Sequence, residues 1–455
     1  MFQSPASQLT ASRRPESRRW RFRGAQVIAV VAAALALEAV FRRLHQLGNL
    51  ETFVIPAIAL CFVAGIVYVV ALFFLEHTSK NRAAFWLILA AGLIFRLTLL
   101  PLAPTLSEDL YRYRWDGRMQ RAGENPYAVA PNAPRLAWLH EPGEARMACP
   151  DIPAVYPPLS ELIFRATCGV FPSPVAFKIP IFVADVLTML LLAFWFRAKG
   201  ANNFHMAVYA WNPLVIVEFA GSGHNDALAL AAIVAAFVII RRRPALSTML
   251  LAAATLVKAF PLLFFPAWLR QIGWPRWRAA WIGLDGAAAL VLVCFWPYRA
   301  ALPHFFANLN NGESRWQTHN GSLHEIFLHL TGSSVLAGRI GAAFAGLVAL
   351  WAAFRKLPVE RATYLISGAI LLLAPNSYPW YFTWIVPWLC FFPNPAWLLL
   401  TILQFLSYHV LIGYQILGTW YFEPRLVALM YVPFYLLLVR RWTWIRLRHW
   451  IVQRY

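Results

Sequence analysis

Apolar runs long enough to cross a bilayer recur along almost the whole chain. They fall at about 25–41, 53–75, 84–103, 177–196, 204–220, 225–240, 279–296, 334–353, 360–374, 378–392, 395–415 and 424–439. A hydrocarbon core about 30 Å thick takes roughly 20 apolar residues in a helix, which pairs all of its own backbone groups. Of the 455 residues, 60% are hydrophobic and 13% charged. Soluble domains carry roughly 45–50% and about 25%. An ordinary water-soluble enzyme is therefore excluded. The expected fold is an all-α polytopic membrane bundle of about 12 transmembrane helices.

Charge orients the spans. The chain has 40 Lys and Arg against 20 Asp and Glu, a net +20. In so apolar a chain this marks cytoplasmic loops facing anionic lipid, so the expected partner is the lipid bilayer and not nucleic acid. The basic tail 1–24, the run Arg241, Arg242 and Arg243, the cluster Arg270, Arg276 and Arg278, and the basic tail 440–455 all fall on the cytoplasmic side. Residues 25–439 then form one membrane domain with outer loops at 104–157 and 297–333. The first run lacks a small-residue cleavage site and reads as a retained span. Between 246 and 268 a run interrupted by Lys258 and Pro261 reads as a re-entrant pair of half-helices. Cys61, Cys149, Cys168, Cys294 and Cys390 are scattered, which supports neither a disulfide framework nor a metal site. No cofactor is expected.

Chemistry concentrates in few places. Directly after the third run come Glu108, Asp109, Arg112 and Asp116. In a helix Glu108, Arg112 and Asp116 share one face, as do Asp109, Arg112 and Asp116. The block suits an interfacial helix laced with salt bridges, and equally a general base held beside a cation at the membrane surface. Tyr156, at a proline-rich corner, is placed to line a pocket. Glu218 lies in an apolar run, where an ionisable group needs a partner, and His224 and Asp226 follow in the outer turn. Lys258 either meets an anion or snorkels to the cytoplasmic face. Arg315, His319, His324 and Glu325 are weaker candidates. Tyr378, Pro379, Trp380 and Tyr381 read most simply as an aromatic belt.

Three blocks carry a resemblance. The order Glu-Asp-Leu-Tyr-Arg-Tyr-x-Trp-Asp-Gly-Arg-Met-Gln-x-Ala-Gly-x-Asn-Pro-Tyr at 108–127, Tyr-Pro-Pro-Leu at 156–159 and Trp-Asn-Pro-Leu…Glu…Gly-His-Asn-Asp at 211–226 resembles the GT-C membrane glycosyltransferases. Within these it is similar to the bacterial polyprenyl-phosphomannose-dependent α-mannosyltransferases and to glycosyltransferase family 87. The likeness runs over about 85–395 and includes Lys258 and the Pro379-Trp380-Tyr381 motif. It implies a GT-C bundle in a bacterial inner membrane with its active site on the extracytoplasmic face. It also implies inverting transfer of a sugar, expected to be mannose, from a polyprenyl-phosphate donor to a glycan or glycolipid acceptor. Asp109 maps onto the catalytic acid of the family and Glu108 onto its neighbour. Arg112, His224, Lys258, Asp226, His319 and Tyr378 are the expected donor-binding residues, with Asp116, Tyr156 and Glu218 in the acceptor pocket. One departure is visible: some relatives have His where this chain has Tyr378, which shifts a phosphate-binding role towards His224 or His319. The competing readings are a lipid-linked sugar flippase and a non-catalytic assembly factor. Transporters usually show paired repeats with matching broken helices, and only one broken pair is visible here.

Overall fold

A computed structural model describes residues 16–76, 82–141, 147–170, 173–311, 320–418 and 421–452. Among them the regular secondary structure is helical throughout. α1 (Glu16–Leu47) packs on α2 (Val54–Glu76) and α3 (Arg82–Leu99). The first helix begins at Glu16, ahead of the expected span. Extending a formed helix through Glu and Arg residues costs little, because each added residue adds a backbone bond. α2 turns Ala57, Cys61, Ala64 and Ala71 inward and leaves Ile55, Ile66 and Phe73 exposed. Small residues inside and large apolar ones outside suit a helix that meets lipid on one side.

α3 stops at Leu99, ahead of Pro101 and Pro104, so α4 (Asp109–Arg121) is a separate helix in the loop that follows it. α5 (Pro158–Val170) lies against it at Gly117, where any side chain would collide with the Phe164 carbonyl. α6 (Pro174–Phe177) leads into α7 (Ile179–Ala198), followed by α8 (Asn203–Ala210) and α9 (Pro213–Ile216). The Asn212 side chain caps α9, which widens into a π turn at Val217–Ser222. α10 (Asp226–Ile239) packs between α7 and α11 (Pro244–Val257).

At Lys258 the backbone turns extended, and a 3₁₀ turn at Phe260–Phe264 feeds α12 (Phe265–Ile272). The return ends where Arg276 donates to the Arg241 carbonyl at 2.7 Å. Lys258 thus sits at the tip of a hairpin whose feet carry arginines. α13 (Trp277–Phe295) flanks α11, and α14 (Leu302–Asn311), α15 (Leu323–Thr331), α16 (Ser334–Phe354) and α17 (Val359–Leu373) follow. Where a span is expected at 378–392, the chain forms a 3₁₀ segment Pro379–Ile385 and the short α18 (Val386–Leu389). Pro379 and Pro387 remove backbone donors there and prevent one continuous helix. α19 (Pro395–Leu403), a 3₁₀ turn and α20 (Val410–Leu417) precede α21 (Pro424–Val452), which continues helical through most of the expected basic tail.

Six helical stretches among the described residues are long and apolar enough to cross a bilayer: Val54–Glu76, Arg82–Leu99, Pro174–Ala198, Trp277–Ala307, Ser334–Phe354 and Pro395–Ile416. Pro213–Ser222, Asp226–Ile239 and Pro244–Val257 are shorter apolar helices. The protein is an all-helical, multi-pass membrane protein.

One ion pair locks α3 to α7. Arg96 Nε donates to Asp185 Oδ2 at 2.7 Å and its Nη2 to Oδ1 at 3.2 Å, with both side chains fully buried. Arg96 also donates to the carbonyls of Gly92 and Ala210, and Tyr209 donates to Asp185. Removing one partner strands a buried charge, a loss of about 3–5 kcal/mol. Asp185→Ala is expected to lower the apparent melting temperature in detergent sharply. Arg96→Met with Asp185→Leu should recover part of that loss in the same thermal scan.

Candidate active site

The site forms where the N-termini of α4 and α10 meet the π turn, the Lys258 hairpin tip and the 379–385 segment. Asp109, at the first position of α4, sets its Oδ2 3.6 Å from His224 Nδ1. The other ring nitrogen, Nε2, lies 3.4 Å from Glu218 Oε2. Glu218 Oε1 accepts from the Tyr408 hydroxyl at 2.6 Å. A carboxylate, an imidazole and a second carboxylate therefore stand in a row. His224 and Glu218 are sealed from solvent, whereas the Asp109 side chain keeps 19% of its exposure. Asp109 is the open end of the row.

Local folding explains this convergence. The π turn carries Glu218 and ends on Gly223, whose φ of +79° lies in the left-handed region. The chain thereby reverses, and the His224 amide donates back to the Glu218 carbonyl at 3.0 Å. The His224 ring stacks on Trp380 with centroids 4.0 Å apart, and Tyr378 stacks on Trp380 at 4.7 Å. The Tyr113 hydroxyl faces both Asp109 Oδ2 at 3.4 Å and Asn225 Oδ1 at 3.2 Å.

A second limb adjoins the first. Asp226, the first residue of α10, accepts from Trp384 Nε1 at 2.7 Å and meets Lys258 Nζ at 3.3 Å through its other oxygen. The ammonium lies over the rings of Tyr156 and Tyr381, at 5.4 and 5.7 Å. Lys258 is therefore paired, and snorkelling does not describe it. Burial alone would raise the Asp109 pKa, but His224, Lys258 and Tyr113 outweigh it and hold the carboxyl below its ordinary 3.8. Asp109 is ionised at neutral pH.

Arg112 and Asp116 belong to a different cluster. Arg112 Nε donates to both Asp116 oxygens, at 2.9 and 3.0 Å, and its other nitrogens donate to the carbonyls of Cys149 and Ile152 at 2.8 and 2.9 Å. The guanidinium is buried and pins the loop around 148–152 to α4. That geometry is a loop closure, in which the donors of Arg112 are turned to Asp116 and to backbone carbonyls. Glu161 joins the cluster by accepting from Gln120 at 2.8 Å, and burial followed by the Asp116 carboxylate pushes its carboxyl well up. Glu108 precedes Asp109 but points elsewhere, towards the Tyr414 hydroxyl at 3.5 Å. His319 and Arg315 lie outside the described residues. His324 is buried on α15.

Residues 22–272 match a family model described as Alpha-(1->6)-mannopyranosyltransferase, N-terminal domain, and that stretch exceeds half of the chain. The chain belongs to this mannopyranosyltransferase family. It is also 24% identical over 346 residues to the alpha-(1->6)-mannopyranosyltransferase A of Mycobacterium tuberculosis, a match covering 68% of this chain and 64% of that relative. No solved structure matches the chain. The mannopyranosyltransferase match encloses Asp109, Glu218, His224, Asp226 and Lys258. The aromatic residues that cover them, Tyr378, Trp380 and Trp384, come from beyond it.

Sequence reasoning missed Trp384 and Tyr408, whose polar tips hold the two buried carboxylates, and took Trp380 for a headgroup marker. An indole or phenol inside an apolar run needs a hydrogen-bond partner, and that requirement was the available signal. Gly223 offers a test of the geometry. A methyl group there would strain a positive φ and press on Leu110 and Lys178. Gly223→Ala is expected to cost roughly 1–3 kcal/mol, read as a lowered melting temperature.

Proposed function

We propose that this protein is a membrane mannosyltransferase that moves a mannosyl group from a polyprenyl-phosphate donor to a hydroxyl of a glycan or glycolipid acceptor, with inversion. The observation that carries the reading is Asp109: an ionised, partly exposed carboxylate at the open end of an otherwise sealed row, with the Lys258 ammonium near enough to bias it. The acceptor oxygen attacks the anomeric carbon as its proton passes to Asp109. The bond from that carbon to the phosphate oxygen breaks, and its electron pair leaves with the lipid phosphate. Lys258 keeps ammonium donors beyond the one turned to Asp226 and is the assigned phosphate partner. His224, with carboxylates at both nitrogens and Trp380 on its face, is assigned to positioning Asp109 rather than to the phosphate. Tyr156 and Tyr378 form the walls, and Glu218 and Asp226 hold His224 and Lys258 in place.

The same reading puts the membrane domain at 25–439 as a GT-C bundle of about 12 crossings, the Lys258 hairpin being re-entrant from the cytoplasm. The site then faces the extracytoplasmic side of a bacterial inner membrane. Purified protein supplied with labelled polyprenyl-phosphate mannose and a mannoside acceptor should form a new glycosidic bond. Absence of transfer from every lipid-phosphate sugar would overturn the proposal.

Asp109→Asn is expected to lose about 10²–10⁴-fold in kcat while donor binding survives. Glu108→Gln should lose less, because Glu108 faces Tyr414 rather than His224. Kinetics of the two variants in one preparation decide the assignment. The pH dependence has a definite sign. With its pKa lowered, Asp109 stays ionised until the pH falls beneath the ordinary carboxylate range, so kcat/KM should show no acid limb from this group near neutrality. His224→Gln removes the largest lowering contact and leaves burial to act. The acid limb should therefore move up in pH, as a kcat/KM profile of that variant would record.

A further inference from the structure

A cavity of about 1000 Å³ opens at the other end of α10. Fourteen helical residues separate that end from Asp226, a rise of about 20 Å, so the cavity is no part of the site described above. Lys199, Arg241, Arg242 and Lys356 line it, with Glu360 as the single acid among the lining residues. None of the four cations forms an ion pair with a described carboxylate. Four unneutralised cations around one cavity repel each other, and an anion seated among them removes that cost.

The walls are apolar. Leu190, Leu191, Phe194 and Trp195 of α7 form one side. From there an exposed apolar stripe continues along α7 through Leu187, 45% exposed, to Val183, 55% exposed. Spacings of three and four residues keep this stripe on one face. From Phe194 to Val183 it runs about 16 Å along the helix. A soluble anion would use the cations and leave the stripe bare. A charged head with a long chain attached uses both.

We propose that this cavity binds an anionic phospholipid of the bilayer, its phosphate among Lys199, Arg241, Arg242 and Lys356 and an acyl chain along the α7 stripe. Clusters of cations between helices at a membrane face are suited to such headgroups. The site is separate from the proposed transfer reaction, and its occupancy does not depend on that reaction.

The test is native mass spectrometry of the full chain in detergent, offered phosphatidylglycerol and phosphatidylcholine with identical acyl chains. Phosphatidylglycerol should be retained selectively. Arg241→Gln with Arg242→Gln should weaken retention about 25-fold, at roughly five-fold for each basic residue near an anionic surface. Both side chains are exposed, so the fold should tolerate the change. Arg278→Gln with Arg299→Gln removes the same charge outside the cavity and should leave retention unchanged. Equal retention of phosphatidylcholine, or equal loss in both double variants, would overturn the proposal. So would displacement of the lipid by millimolar inorganic phosphate, which marks a soluble-anion site, or retention of polyprenyl phosphate in place of phosphatidylglycerol.

Discussion

The Asp226 carboxylate joins three pieces of backbone at one point in the site, where the Phe260–Trp384 and His224–Trp380 ring stacks also hold them together. It opens α10, receives the Trp384 indole from the 3₁₀ segment and faces the Lys258 ammonium at the hairpin tip. A carboxylate at a helix N-terminus is favoured by the helix dipole, and a buried one must find donors on its remaining lone pairs. Trp384 and Lys258 meet that need, and so their segments are fixed in the wall of the site. The extended backbone at Lys258 and the proline-interrupted 3₁₀ segment at 379–385 bring these two side chains to the same carboxylate. Without Asp226, the partly buried Lys258 ammonium would keep only the faces of two phenol rings beside it.

The same logic governs the loop between α4 and α5. Arg112 gathers Asp116 and the carbonyls of Cys149 and Ile152, so that the chain around 148–152 folds back on α4. Gln120 then bridges from α4 to Glu161 on α5, and the Tyr298 hydroxyl donates to Gln120 at 2.7 Å. The two clusters divide the acidic block between them. Asp109 is turned to the site, while Arg112 and Asp116, on the same helix, hold the 148–152 loop to α4.

What the sequence made legible follows from this division. Apolar runs announce spans because the bilayer demands them, and the acids around 108–116 stand out because so few charges exist elsewhere. The break after α11 was legible at Lys258 and Pro261, the two residues that interrupt its run. Partners were not. Arg96 and Asp185 lie 89 positions apart, each inside a run read as apolar. Lys178 donates to the carbonyls of Leu102, Ala220 and Gly221, which no local pattern encodes. Helical spacing predicted that Asp109 and Arg112 share a face, but Asp116 and the 148–152 loop hold the guanidinium. Periodicity tells which face a residue occupies and not which distant element will compete for it.

α10 shows why these irregularities do not loosen the site. Ala227, Ala229, Ala231 and Ala236 are buried, and such small side chains let α7 and α11 approach closely on both sides. The helix is a stiff rod with Asp226 at one end and the basic cavity at the other. Direct displacement at a sugar carbon needs nucleophile, carbon and leaving group in line, and misplacement by about 1 Å is costly. The π turn and the break at Lys258 lie beside this rod, where their exposed backbone groups meet protein rather than lipid. A bilayer tolerates non-helical backbone only there. The π turn and the break at Lys258 bring Glu218, His224 and Lys258 together, and the regular helices packed around them keep that convergence fixed.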